Sequence, residues 1–358
     1  MAVERPNSIA DDLLTRLQES PDAYIHKIDF NSGRVLLVQF DAATYRSASF
    51  LDDRILGPAT KGAWLPLDRA AEASRLVANT RPLHFIFHTG HVGSTLVSRL
   101  LDETGVVLSL REPLPLRTLA DAYDALGGPD LLLSDAQFEP TLAMFMRLWG
   151  RGYDGTRSVV VKATSSAGRL ATPILTAGEG SRAIYMNVRA EPYLATLLAG
   201  QNSPIDLRGH GPGRMRRLQS RIAAPLAPLP TLSIGELAAM SWLTESWSQR
   251  DAVKRFPGRV IALDFDQFLS TVAESMSRIL AHLQLPDNPR FLSEIGNSPV
   301  LTRYSKAPEH AYTPNVRAEV LRDSRRHNSA EMRKGLDWLE RLARSDNGVA
   351  KMLHGAVV

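Results

Sequence analysis

Between residues 83 and 264 the chain carries five short apolar runs separated by longer amphipathic stretches. The runs cover 83–88, 106–110, 158–162, 183–188 and 259–264, and each is almost continuously apolar rather than alternating. That pattern predicts strands buried on both faces, as in a parallel sheet. The stretches between them repeat apolar residues every three or four positions, for example Leu96, Val97, Leu100 and Leu101, or Leu237, Met240, Leu243 and Trp247. Strands alternating with helices predict an α/β three-layer sandwich of about five parallel strands with helices on both faces.

The flanking segments differ. Residues 1–20 read as a short amphipathic helix with Ile9, Leu13, Leu14 and Leu17 on one side. Strands at 24–30 and 35–40 flank a turn at 31–34, so residues 1–80 form a small β-containing appendage to a main domain at 81–358. The appendage either covers the main sheet or touches a substrate or partner. Residues 201–232 are rich in glycine, proline and arginine, which predicts a mobile basic insertion, a lid or a solvated loop with a short helix. Ser233–Glu236 and Thr271–Glu274 have the spacing of capping boxes. A polar loop is expected at 303–307 and a last amphipathic helix around Met332, Leu336 and Leu339.

Composition narrows the classes. With 358 residues, 44% hydrophobic and 22% charged, the chain can bury a large core. No apolar run approaches the roughly 18 residues that cross a bilayer, and the first residues lack a signal-peptide core. The absence of cysteine removes disulfides, thiolate metal sites and thiol nucleophiles, and cytoplasmic is the default expectation. A net charge of +4 suits an anionic ligand but is too small to argue for nucleic acid, and no metal-ligand spacing stands out among the nine histidines. The expectation is therefore no nucleic acid, no membrane and no metal.

Candidate chemistry concentrates where the strands end. After the first run, Gly90-His91-Val92-Gly93-Ser94-Thr95 forms a strand–loop–helix unit. Unpaired N–H groups of the first helical turn, the helix dipole and two hydroxyls make such a loop an anion trap. A P-loop of NTPase type fits poorly, since His88 falls at its first glycine and Ser94 at its lysine. The second run leads into Glu112, the third ends in Lys162 and the fourth leads into Arg189. In a parallel sheet, ligands sit beyond the carboxyl ends of the strands, so these groups should surround one crevice.

The window His91-Val92-Gly93-Ser94-Thr95-Leu96 resembles the phosphosulfate loop of sulfotransferases, with His91 where that family has Lys or Arg. The likeness runs from about residue 83 to 306. Glu112, nineteen residues after Gly93, matches in spacing the base glutamate of tyrosylprotein sulfotransferases, and a similar glutamate serves bacterial trehalose sulfotransferase. Lys162 is similar to the strand-end lysine of the tyrosylprotein enzymes. Arg189 resembles the arginine that holds the 3′-phosphate of 3′-phosphoadenosine 5′-phosphosulfate (PAPS). Leu197 stands where the family commonly has serine, leaving Thr196 as the substitute, and Ser305 belongs to a stretch similar to the late serine–lysine loop.

The resemblance implies a P-loop NTPase-like fold and transfer of a sulfuryl group from PAPS to a hydroxyl of a small molecule, sugar or peptide, with adenosine 3′,5′-bisphosphate as product. It implies Glu112 as general base, His91 and Lys162 as charge stabilisers, residues 90–95 as phosphate holders with Arg189 and Thr196, and Ser305 near the sulfonate. His88 reads as a satisfied loop histidine, and Asp264 and Asp266 as loop-orienting carboxylates. A P-loop kinase and a non-catalytic binding protein on the same scaffold remain open at this point.

Overall fold

The computed structural model describes residues 9–286 and 288–355; the first eight residues of the expected N-terminal helix lie outside them. The helix Ile9–Glu19 buries Leu13, Leu14 and Leu17, as their spacing predicts. Strands β1 (Ala23–Asp29) and β2 (Arg34–Gln39) pair antiparallel around a turn in which Gly33 takes φ +62°. A third strand, β3 (Gly62–Pro66), pairs with β2 so that Val35 faces Leu65. It was not legible in the sequence because Leu65 is its one buried residue, leaving no apolar run or clean alternation to read.

The five apolar runs become β4 (Leu83–His88), β5 (Val107–Arg111), β6 (Ser158–Lys162), β7 (Ala183–Asn187) and β8 (Val260–Asp264). They form one parallel sheet in the order β5-β6-β4-β7-β8. Every residue of the inner strands is buried, which is why their sequences are continuously apolar; β8, at an edge, is only partly so.

Successive side chains point to opposite faces and feed two separate cores. Phe85, Phe87, Val159 and Val161 pack with Leu116, Leu142 and Phe145 of two helices and, without interruption, with Leu13, Leu37 and Tyr45 from the N-terminal unit. The β1–β3 sheet thus shares a core with one face of the main sheet. On the other face Ile86, Val160, Ile184 and Met186 meet Val97, Leu100, Met240 and Trp242, with Trp338 and Leu339 of the helix Ser329–Ser345 beneath.

Two buried arginines fasten the N-terminal unit. Arg111 Nη1 donates to the carbonyls of Tyr45 (3.0 Å) and Ala48 (2.9 Å), while Nη2 pairs with Asp102. Arg151 donates to Leu17 O (2.8 Å), Ser20 O (2.5 Å) and Ala23 O (2.8 Å). Each guanidinium fills carbonyl valences left open where a helix ends, Arg111 at Ala42–Ser47 and Arg151 at Ile9–Glu19.

Several local expectations change. The Ser233 capping box is present, with Glu236 N donating to Ser233 Oγ (3.2 Å) and Ser233 N to Glu236 Oε2 (2.9 Å). Thr271 precedes its helix, but its hydroxyl donates to Gln267 O (3.1 Å) and makes no cap. The reason is an additional short helix, Phe265–Ser270, capped by Asp264, whose last turn uses that hydroxyl. The basic insertion is not a bare mobile loop. It folds as helices Ser203–Gly209 and Gly211–Gln219, with Arg217 paired to Asp124 and Glu245 (3.0 Å each). The expected polar loop at 303–307 is a hairpin of β9 (Arg303–Tyr304) and β10 (Ala307–Ala311). No helix among the described residues is long and apolar enough to cross a membrane.

Replacing Arg111 by Met removes the side-chain donor to the carbonyls of residues 45 and 48 and leaves the Asp102 carboxylate, which keeps only the Ser109 N–H (3.2 Å), without its counter-charge. The expected cost is about 3–5 kcal/mol, read as a fall in the urea midpoint at unchanged slope.

Candidate active site

The loop that joins β4 to the helix Ser94–Glu103 turns through three left-handed residues, Gly90 (φ +111°), His91 (φ +54°) and Gly93 (φ +72°). The turn aims the unpaired N–H groups at the helix start outward from the sheet edge. Ser94 and Thr95 are buried there, and Thr95 Oγ1 has no hydrogen-bond partner. Gly93 has a further reason to be glycine. A Cβ at that position would meet Phe265 Cε2 at 2.1 Å, so the ring packs directly on the loop backbone.

Beside the loop, β5 and β6 run in register with Arg111 opposite Lys162, and Glu112 N donates to Lys162 O at 2.7 Å. This register sets the two side chains together, and Lys162 Nζ donates to Glu112 Oε1. Lys162 is fully buried and the Glu112 side chain is 13% exposed. Burial, only partly offset by Glu112, lowers the Lys162 pKa to about 8. Burial also opposes charge on Glu112, but the Lys162 ammonium and then Lys306 outweigh it and hold the carboxyl below its ordinary range. The pair is therefore ionised at neutral pH, with the lysine the weaker holder of its charge.

Glu112, like His91, sits in the left-handed region (φ +53°). Among the described residues these two and Gln284 are the non-glycine residues with positive φ. Two of the three lie at this site, where backbone strain is a sign of a constrained geometry.

The loop opens on a pocket with a volume of about 120 Å³. Residues 91–95 form one wall, and Thr196, Ser305 and Lys306 contribute to others. Phe265 and Arg317 close it, the guanidinium lying 5.0 Å from the ring centroid and paired with Asp266 at 2.7 Å. His91 links this pocket to the ion pair: it lines the pocket and feels the charges of Lys306, Lys162 and Glu112. Residue 91 is solvent-exposed, yet enough protein crowds it that partial desolvation, followed by Lys306, lowers its pKa. His91 is thus a neutral hydrogen-bonding group at pH 7.

The sequence-predicted residues are gathered unevenly. His91, Val92, Gly93, Ser94, Thr95, Thr196 and Ser305 share the pocket, and Glu112 and Lys162 pair next to it. Gly90 is buried behind the loop against Ser165 and Tyr193. Arg189 stands at the same sheet edge, immediately before the helix Ala190–Ala199, but it is exposed and does not line this pocket. The Thr196 hydroxyl donates to Pro192 O (2.8 Å) within its own helix. His88 Nε2 donates to Ala163 O (2.8 Å) while its Nδ1 stays unpartnered, and burial keeps it neutral. Asp264 and Asp266 cap a helix and pair with Arg317, as loop-orienting groups.

No protein-family model matches the chain, and no curated protein does. Solved structures similar to it include the sulfotransferase domain of the curacin biosynthetic pathway (16% identity, TM-score 0.39, covering 66% of this chain and 86% of that one). A sulfotransferase of Alicyclobacillus acidocaldarius gives 15% and 0.37 over 75% and 98%, and one of Mycobacterium avium gives 14% and 0.39 over 91% and 98%.

Sequence reasoning missed Phe265 and Arg317, which come from segments far apart in the chain and carry no motif of their own. Lys306 had a local signal, its position next to Ser305. Among the described residues no group of three or more His, Asp or Glu side chains could hold a metal ion.

The strain at residue 91 is measurable. His91→Gly should raise stability by about 1 kcal/mol, and His91→Val should lower it, in equilibrium denaturation.

Proposed function

We propose that the chain is a PAPS-dependent sulfotransferase acting on a hydroxyl of a small molecule, sugar or peptide. The observation that carries this reading is the buried Lys162–Glu112 pair set beside a glycine loop whose first helical turn offers unpaired N–H groups to the adjoining pocket. A carboxylate held ionised by a lysine, next to an anion trap, is what transfer of an anionic group to a hydroxyl requires.

In this reading the donor's phosphosulfate lies along residues 91–95, its 5′-phosphate taking hydrogen bonds from first-turn N–H groups and from Ser94 and Thr95. Thr95 supports this role, since its hydroxyl has no partner within the protein. Arg189 reaches the 3′-phosphate, with Thr196 at the same end. Ser305 and Lys306 hold sulfonate oxygens. The acceptor oxygen forms a bond to sulfur as the bond between sulfur and the bridging phosphate oxygen breaks, and the acceptor proton passes to Glu112. Lys162 and the His91 N–H meet the charge that develops on the bridging oxygen.

The ion pair gives this sequence an order. While Lys162 donates to Glu112, the carboxylate is a weak base, because its pKa is held down. The donor's negative charge competes for the ammonium and draws it from Glu112, leaving the carboxylate free and more basic when the acceptor arrives.

Adenosine 3′,5′-bisphosphate at about 100 times its dissociation constant should add roughly 2.7 kcal/mol of stability, raising the thermal midpoint by several degrees. Equal midpoints with and without it would sink the reading. Glu112→Gln should keep that binding and lose about 10²–10⁴ in turnover.

The pH profile of kcat/KM should be flat through neutrality. It should fall above pH about 8 as free Lys162 loses its proton, and on the acid side only below the ordinary glutamate range. Lys162→Arg should move the alkaline fall upward; a profile unchanged by that substitution would remove Lys162 from the reaction.

A further inference from the structure

Phe50 is a half-buried aromatic residue that belongs to neither apolar core. Its neighbours are cations instead. The Arg54 guanidinium lies 3.8 Å from its ring centroid, Lys306 Nζ 5.9 Å and Lys162 Nζ 6.0 Å. A large apolar side chain placed among three positive charges is not there to fill a core; a ring's electron-rich face is what such charges favour.

Its position is fixed from three directions. Leu51 N donates to Arg111 O (2.7 Å), joining the segment to the end of β5 one residue before Glu112. Arg111 holds the carbonyls of Tyr45 and Ala48 from below. Arg99, on the helix that starts at the glycine loop, donates to Ser49 Oγ (2.8 Å) and to Ser305 O (2.8 Å), tying the segment to the hairpin that carries Lys306. Asp52 and Arg54 lie near enough to Glu112 to act on its charge.

We propose that the N-terminal unit completes the active site, and that Phe50 is a positioning residue that covers the Lys162–Glu112 pair, excluding water from it and holding Lys162 and Lys306 about its ring. Its effect on catalysis rests on the sulfotransferase reading; the covering role does not. Removing the ring has two opposite effects on Lys162. Water entering the gap favours the ammonium, whereas loss of the ring face disfavours it.

The test uses the full chain with Phe50→Ala, Phe50→Leu and Phe50→Trp, each titrated by NMR of ¹⁵N-labelled lysine side chains, with and without adenosine 3′,5′-bisphosphate. In Phe50→Ala, where water enters the gap, the Lys162 midpoint should lie above that of Phe50→Leu. In Phe50→Leu, which keeps bulk but not the ring face, it should fall, and Phe50→Trp should restore it. A folded alanine variant whose midpoint is no higher than that of Phe50→Leu overturns the proposal, because water entry is what separates the two. Should that variant fail to unite into a folded chain by circular dichroism, an unmoved midpoint in Phe50→Leu overturns it equally. If the nucleotide binds neither the wild type nor the variants, the sulfotransferase reading falls, and the nucleotide-free titrations still decide what Phe50 does.

Discussion

The site depends on one buried ion pair. An ammonium taken fully out of water survives only if an opposite charge meets it, and Lys162 meets Glu112 at the ends of two adjacent parallel strands. The parallel register brings the two together: Arg111 stands opposite Lys162, and Glu112, the residue after β5, donates its N–H to Lys162 O, so its side chain is delivered to the lysine. Burial weakens the lysine's hold on its proton while the pair strengthens the carboxylate's charge, so the two partners are unequal. That inequality is what lets an incoming anion compete for the lysine.

The neighbouring backbone is shaped to the same end. His91 and Glu112 both accept a left-handed conformation that side chains other than glycine avoid, at a cost of order 1 kcal/mol each. Surrounding structure enforces it. Glu112 is pinned by its N–H to Lys162 O, and the loop around His91 is closed between Gly90, packed on Ser165 and Tyr193, and Gly93, packed on Phe265. The glycines serve this packing as much as any ligand.

The N-terminal unit is joined to the sheet by a shared apolar core and by guanidinium groups whose donors go to backbone carbonyls. Arg111 takes part in both architecture and site, because it fastens the unit and immediately precedes Glu112. The same segment then presents Phe50 to the two lysines. Fastening and covering are consequences of one short stretch of chain.

The sequence by itself determined the five buried strands, the glycine loop and the location of Glu112, Lys162 and Arg189 at strand ends, because continuous apolarity and sharp termini are local signals. It also carried the capping box at Ser233. It did not reveal β3, whose single buried leucine has no period, nor the helix Phe265–Ser270 that diverted Thr271 from its cap. Nor could it reveal that Phe265 lies on Gly93, that Arg317 stacks on Phe265, or that Phe50 stands over Lys162. Those are contacts between residues tens to hundreds of positions apart, set by how the sheet's two faces are covered, and only the tertiary structure decides them. Arg189 shows the limit most clearly: sequence placed it at the correct edge, while the packing left its side chain outside the pocket that the loop lines.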